Sequence, residues 1–204
     1  MRLGLVGASN GDHGALARAL RTAAQLAERV VYLGSDGDFD LVIDAWLGLI
    51  GADASLRRRA EAVLDAGPET ILEAVRVERA RSALSRMVAL AGPGCRSVEI
   101  LGDRVVLLAD DKADLDKEDL LPASFIAFGR GEPLVRRVGS RVFVSPGPPS
   151  SKAGVALLDM TDANGFHGAP TLSLTLLAAD GAETHHEQIE LGRTVKLRVQ
   201  GATG

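Results

Sequence analysis

Aromatic side chains are scarce in this chain, at 3% of 204 residues, too few for the stacking platforms that hold single-stranded nucleic acid. Excess positive charge is missing as well. The formal net charge is -4, so no global field draws the chain to nucleic acid or to an anionic membrane. A single cysteine, Cys95, rules out an intramolecular disulfide framework and fits a reducing, cytoplasmic compartment. It stands in "AGPGCRSVEI", a Gly/Pro connection entering a strand, and reads as an incidental thiol rather than a nucleophile. No run approaches the roughly 20 apolar residues that a membrane-spanning helix needs. "LGLVG" gives way to polar residues too soon for a signal peptide.

What is present is an ordinary globular composition, 46% hydrophobic and 25% charged. The length favours one domain over 1–204, with a core over 1–160 and a C-terminal strand extension over 161–204. "RLGLVG" is a compact apolar run ending in glycine, the pattern of a buried strand. From His13 to about Arg29, Leu16, Ala19, Leu20, Ala23 and Leu26 recur at helical spacing, with Asp12 as N-cap. "RVVYLG" is a second buried strand, and the three together predict a βαβ unit with parallel strands.

"SDGDFD" reads as a loop, followed by the apolar "LVIDAWLGLIG". Helices are expected over 53–65 and 68–90, broken at Gly67-Pro68. Two strands joined at Gly102-Asp103 come next, then an acidic loop or short helix over 110–119. "ASFIAFG", a hairpin about Gly139-Ser140 and "GVALLDM" add further strands. In the tail, Leu172, Leu174 and Leu176 alternate, a turn falls at Asp180-Gly181, and Val195, Leu197 and Val199 alternate in a last strand.

This order and its local strings resemble the calcineurin-like metallophosphoesterases, which include small bacterial phosphodiesterases and a retromer subunit on the same fold. The resemblance runs from Met1 to about Met160. It implies an α/β/β/α sandwich of mixed sheets, here with a C-terminal β-hairpin extension. In that family the first strand ends in Asp-x-His, the second in Leu-Gly-Asp and a later one in Gly-His-x-His. In "LGLVGASNGD" Ala8 and Asn10 take the first pair of ligand positions. Ser35 stands for the bridging Asp in "VVYLGSDGD", and Asp110 for a His in "VVLLADD". "SFIAFGRGEP" puts Arg130 and Glu132 at the two histidines, and "RVFVSPGPPS" puts Ser145 at an Asn. No Gly-Asn-His-Asp equivalent is present.

Hydrolysis by such a site needs two cations roughly 3.5–4 Å apart, clamped by carboxylates and imidazoles. Ala8 cannot ligate, Asn10 and Ser35 offer neutral oxygens, and Arg130 carries a permanent positive charge. The resemblance therefore implies a pseudo-phosphoesterase with no catalytic residue, no metal and no cofactor, acting through a protein partner or self-association. Two alternatives stay open. Asp36, Asp38, Asp110 and Glu132 could rebuild a site for manganese or another divalent cation in a divergent phosphodiesterase. Gly7, Ser9, Gly11 and Arg130 could instead bind a phosphate or nucleotide without turnover.

The remaining candidates have bland readings. Asp36-Gly37-Asp38-Phe39-Asp40 is similar to the start of a calcium loop, but Leu41 and Leu47 replace its glycine and distal Glu. His13 reads as a helix-start residue and His167 as a loop residue. His185 and His186, being adjacent on a strand, face opposite ways and form no metal pair. Arg57, Arg58 and Arg59 share a helix with Glu61 as a solvated face. Arg130, Arg136, Arg137 and Arg141 cluster around a hairpin and suit an acidic partner rather than nucleic acid. Trp46, Leu47, Leu49 and Ile50 exceed what one helix face buries, which leaves cover by the following helices or an interface anchored by Trp46 with Leu47 and Ile50.

Overall fold

The computed structural model describes residues 1–50, 67–161 and 171–190. Within them the chain runs β1 (Arg2–Val6), α1 (His13–Leu26), β2 (Arg29–Tyr32), α2 (Asp38–Ile50), α3 (Pro68–Leu84) and β3 (Met87–Ala89). Next come β4 (Arg96–Leu101), β5 (Arg104–Ala109), a single 3-10 turn (Lys112–Asp114), α4 (Lys117–Leu120) and β6 (Phe125–Phe128). The β7 (Leu134–Val138), β8 (Arg141–Ser145), β9 (Gly154–Thr161), β10 (Thr171–Ala178) and β11 (Glu183–Glu190) strands complete the order.

Two mixed sheets stack face to face. The first has the order β11-β10-β9-β1-β2-β3 and the second β4-β5-β6-β8-β7. β1, β2 and β3 run parallel, as the βαβ pattern requires, and β9 joins β1 antiparallel. The β10–β11 hairpin extends this sheet beyond β9 and turns about Asp180-Gly181. In the second sheet β5, β6 and β8 are parallel while β4 and β7 form antiparallel edges.

The main core lies between the sheets, where Leu3, Leu5 and Val31 of the first meet Val106, Leu108 and Val144 of the second. Strand alternation explains the second core. Val6, Val30 and Tyr32 point the other way, onto Leu16, Ala19, Leu20 and Ala23 of α1 and Phe39 and Val42 of α2. α1 begins where Asp12 caps it, its carboxylate accepting from the Ala15 N–H at 2.8 Å. The result is an α/β/β/α sandwich.

Several expectations change. The first helix ends at Leu26, and the one expected over 68–90 ends at Leu84. Met87–Ala89 pairs with β2 as a strand instead, since its apolar run completes the parallel edge. α2 starts at Asp38, inside the stretch read as a loop, because Asp38, Phe39 and Val42 supply its only buried face. The helix at 53–65 with Arg57, Arg58, Arg59 and Glu61, His167, and the strand with Val195, Leu197 and Val199 lie outside the described residues.

Candidate functional site

The C-terminal ends of β1, β2, β5 and β6 meet at one rim of the sandwich, and the residues singled out above gather there. The loop after β1 is drawn tight against its neighbours. Gly7 donates to the Gly154 carbonyl and Ala8 to the Gly129 carbonyl, each at 3.1 Å. A Cβ on Gly7 would stand 2.0 Å from the Gly147 oxygen, so only glycine fits. Ala8 and Ser9 are buried, while Asn10 is exposed and takes a positive φ of 52°.

Asp38 sits under this loop with 9% of its surface exposed. Its Oδ2 accepts from the Ser9 hydroxyl and from the Gly11 N–H at 3.1 Å, and its Oδ1 lies 2.9 Å from Nε2 of His13. The Ser9 hydroxyl bond, helped by His13 and Gly11, holds the Asp38 carboxyl below its ordinary value against the opposing effect of burial. Two internal carboxylates thus take N–H groups where an external anion would otherwise sit, Asp38 that of Gly11 in the loop and Asp12 that of Ala15 in the first turn of α1. Ser9 N–H donates to the Tyr32 hydroxyl at 3.0 Å, and that hydroxyl donates to the Asp36 carboxylate at 2.9 Å. Burial drives the Tyr32 phenol well above its usual range.

A second knot lies across the rim. Asp110, its side chain 6% exposed, accepts from the Ser35 hydroxyl on Oδ2 and from Arg130 Nε on Oδ1 at 3.0 Å. The Arg130 guanidinium is held protonated above its ordinary range, first by that hydrogen bond, then by the charges of Asp110, Asp36 and Asp111. The backbone repeats the join, since Gly129 and Arg130 N–H both donate to the Asp110 carbonyl, at 2.9 and 2.8 Å. Ser145 is fully buried and its hydroxyl accepts from Gly147 N–H at 3.3 Å.

The structure therefore brings Ser35, Asp110 and Arg130 into one contact, and Ser9, Gly11 and Asp38 into another. It leaves Asn10 facing solvent and Glu132 in an exposed loop, lining a groove that Asp111 and Arg130 also line. No three His, Cys, Asp or Glu side chains converge as metal ligands among the described residues. Trp46 and Ile50 line a groove of about 790 Å³ between α1, α2 and α3 with Leu49, Arg79 and Arg86, whereas Leu47 does not join them. Two participants escaped the sequence reading. His13 is a partner of Asp38 rather than a bare helix-start residue, and Tyr32, the only tyrosine in the chain, ties Ser9 to Asp36. The signal for Tyr32 was its polar tip at the end of an otherwise apolar strand.

No helix among the described residues is long and apolar enough to cross a membrane. No family model matches the chain, and no curated protein matches it. Among solved structures it is similar to a conserved uncharacterized protein, a predicted phosphoesterase, from Streptococcus pneumoniae TIGR4. The TM-score is 0.52 at 12% identity, over 93% of this chain and 98% of that one. At that identity the likeness speaks for the fold alone, and the chain has a phosphoesterase-like α/β sandwich fold of two mixed sheets.

Proposed function

We propose that the chain is a non-hydrolysing protein on a phosphoesterase-like scaffold, working by binding other protein surface. The observation that carries this reading is the Arg130–Asp110 contact at 3.0 Å. A guanidinium stands against the one strand-end carboxylate that faces Ser35, so the charge that a metal would supply is already there.

The side chains at the rim do not fit a pair of divalent cations. Ala8 has no donor atom, the Ser35 hydroxyl is committed to Asp110, and Asp38 is committed to Ser9, Gly11 and His13. Releasing any of these carboxylates would break bonds the fold already makes, and Arg130 would repel the incoming ion. A phosphate ligand is disfavoured by the same bonds. The N–H groups of Gly7, Ala8, Ser9 and Gly11 already have internal acceptors, and Arg130 is ringed by Asp36, Asp110 and Asp111.

Assay of an aryl phosphodiester after loading with manganese, zinc or iron tests the proposal. The expected rate is that of metal in buffer alone. Metal-dependent turnover that Asp110→Asn abolishes would overturn it.

A further inference from the structure

The groove of about 790 Å³ between α1, α2 and α3 opens where the last turns of the three helices meet. α1 ends just before β2 and α3 just before β3, so the groove lies at the end of the first sheet opposite the strand-end rim. On α2 it takes Trp46, Leu49 and Ile50, an apolar ridge at i, i+3 and i+4. On α3 it takes Ala80, Ala83 and Leu84 at the same spacing, and Ala24 joins them from α1. The three alanines let a further helix approach to the roughly 8–10 Å of ordinary helix packing. Nothing in the chain's own packing finishes these walls. α3 runs for 17 residues without a buried side chain, and Leu49 is 85% exposed. Helices in folded proteins draw most of their stability from packing an apolar face, and at Leu49 that face is bare.

The charges along the groove have one sign. Arg21, Arg79 and Arg86 line it, and among the described residues no Asp or Glu does. Arg86 is partly spent on α1, its guanidinium donating to the Ala24 and Ala27 carbonyls, both at 3.2 Å. Arg21 and Arg79 are exposed and have no hydrogen-bond or ion-pair partner among the described residues. The nearby acids of α3 are engaged with other arginines, Glu73 with Arg76 at 3.5 Å and Glu78 with Arg81 at 3.8 Å. On α2, Asp44 stands two residues before Trp46 and so projects from the other side of the helix. The chain carries a net charge of -4, so this concentration of positive charge is local.

We propose that this groove receives an acidic amphipathic helix of a partner protein, its apolar stripe on Trp46, Ile50 and Leu84 and its flanking Asp or Glu side chains on Arg21 and Arg79. The inference names the partner chemistry for the protein-binding reading above and rests on that reading. Helix-in-groove recognition uses ligand anchors at i, i+3, i+4 and i+7. Along α3 the lining runs from Arg79 to Arg86, about two turns or roughly 10 Å, which matches that repeat. A second copy fits poorly, because a two-fold contact through this groove sets arginine against arginine. Two turns of helix bury less than a standard interface, so binding is transient, with a Kd on the order of 10 μM.

Trp46 is the chain's only tryptophan, so its emission reports on the groove directly. The full chain is titrated with a tryptophan-free helical peptide of about 16 residues, with Leu at i, i+3, i+4 and i+7 and Glu on both flanks. A second titration uses the same peptide with Lys for each Glu. The Glu peptide shifts the emission to the blue and the Lys peptide does not. Arg21→Glu with Arg79→Glu weakens the Glu peptide by about tenfold or more and lets the Lys peptide bind in its place. Leu49→Ser weakens it about fivefold. All three positions are exposed, so the variants keep the wild-type melting temperature. An emission unmoved by the Glu peptide overturns the proposal, as does equal binding of the two peptides. A blue shift that grows with the concentration of the chain alone overturns it in favour of a second copy, and a response to dodecanoate but not to peptide does so in favour of a lipid. Failed peptide binding without phosphodiester turnover removes the groove assignment alone, whereas metal-dependent turnover removes the reading on which it rests.

Discussion

Arg130 donates through Nε to Oδ1 of Asp110 at 3.0 Å, with the carboxylate 6% exposed and the guanidinium 46% exposed. The asymmetry sets the cost of breaking the pair. Arg130→Ala leaves a buried carboxylate with only Ser35 and backbone around it, and the expected loss is about 1–2 kcal/mol, between exposed and buried pairs. Asp110→Ala leaves the guanidinium free to turn to water and costs less of its own accord. Urea denaturation of the two single variants and the double variant should give a coupling of about 1 kcal/mol. Additive effects would mean that the contact contributes nothing.

The pH dependence of stability should carry the mark of Asp38. Its carboxyl is held below the ordinary value, first by the Ser9 hydroxyl, so the unfolded chain takes up the proton more readily. The stabilisation is therefore complete above the unfolded pKa near 4 and fades as pH falls through the lower folded value. Asp38→Asn lacks this contribution. The stability gap between wild type and variant should be constant above about pH 5 and shrink below about pH 4. A gap that widens on acidification would contradict the assigned bonds.

Two glycines of one loop should fail for different reasons. At Gly7 a Cβ meets the Gly147 oxygen at 2.0 Å, and backbone cannot move aside cheaply. Gly7→Ala should cost about 3 kcal/mol. At Gly11 nothing lies within 4 Å, but φ is 87°. Gly11→Ala should cost about 1–2 kcal/mol, the penalty of a left-handed backbone alone. Thermal unfolding ranks the two, and the reverse order would show that the loop packs differently.

Tyr32 offers a spectroscopic test, because it is the only tyrosine. Burial holds its phenol protonated far above the usual range near 10. Absorbance at the tyrosinate band should stay flat through that range and rise only with alkaline unfolding. Tyr32→Phe strands the buried Ser9 N–H and should cost about 1–2 kcal/mol. Reversible ionisation in the folded chain near pH 10 would place the hydroxyl in water instead.

Much of the scaffold was legible because local signals and tertiary packing agree. The apolar run of β1, the Asp12 cap and the spacing of Leu16, Ala19, Leu20 and Ala23 all specify one βαβ unit. Gly102 and Gly139, with φ of 63° and 62°, mark the two hairpin turns that their sequences announce. The boundary between α3 and β3 was not legible, since three residues of strand carry too little period to separate from a helix tail. Asp38 was misjudged for a related reason. "SDGDFD" has loop composition, and only the burial of Phe39 against Tyr32, ring centres 5.9 Å apart, fixes the helix start there. At the rim, sequence identified which residue types occupy the strand ends but not their pairing. That Ser35 and Arg130 share Asp110 depends on β5 and β6 ending side by side in one sheet and on β2 of the facing sheet ending at the same rim, a long-range fact with no local signature.

The central claim is that the rim's carboxylates are satisfied by the chain's own donors and hold no metal pair. Metal stoichiometry by mass spectrometry, on the protein as purified and again after manganese loading and desalting, tests it most directly. The account predicts far less than one ion per chain on both occasions. Two ions retained per chain, lost together when Asp110 is replaced by Asn, would contradict it.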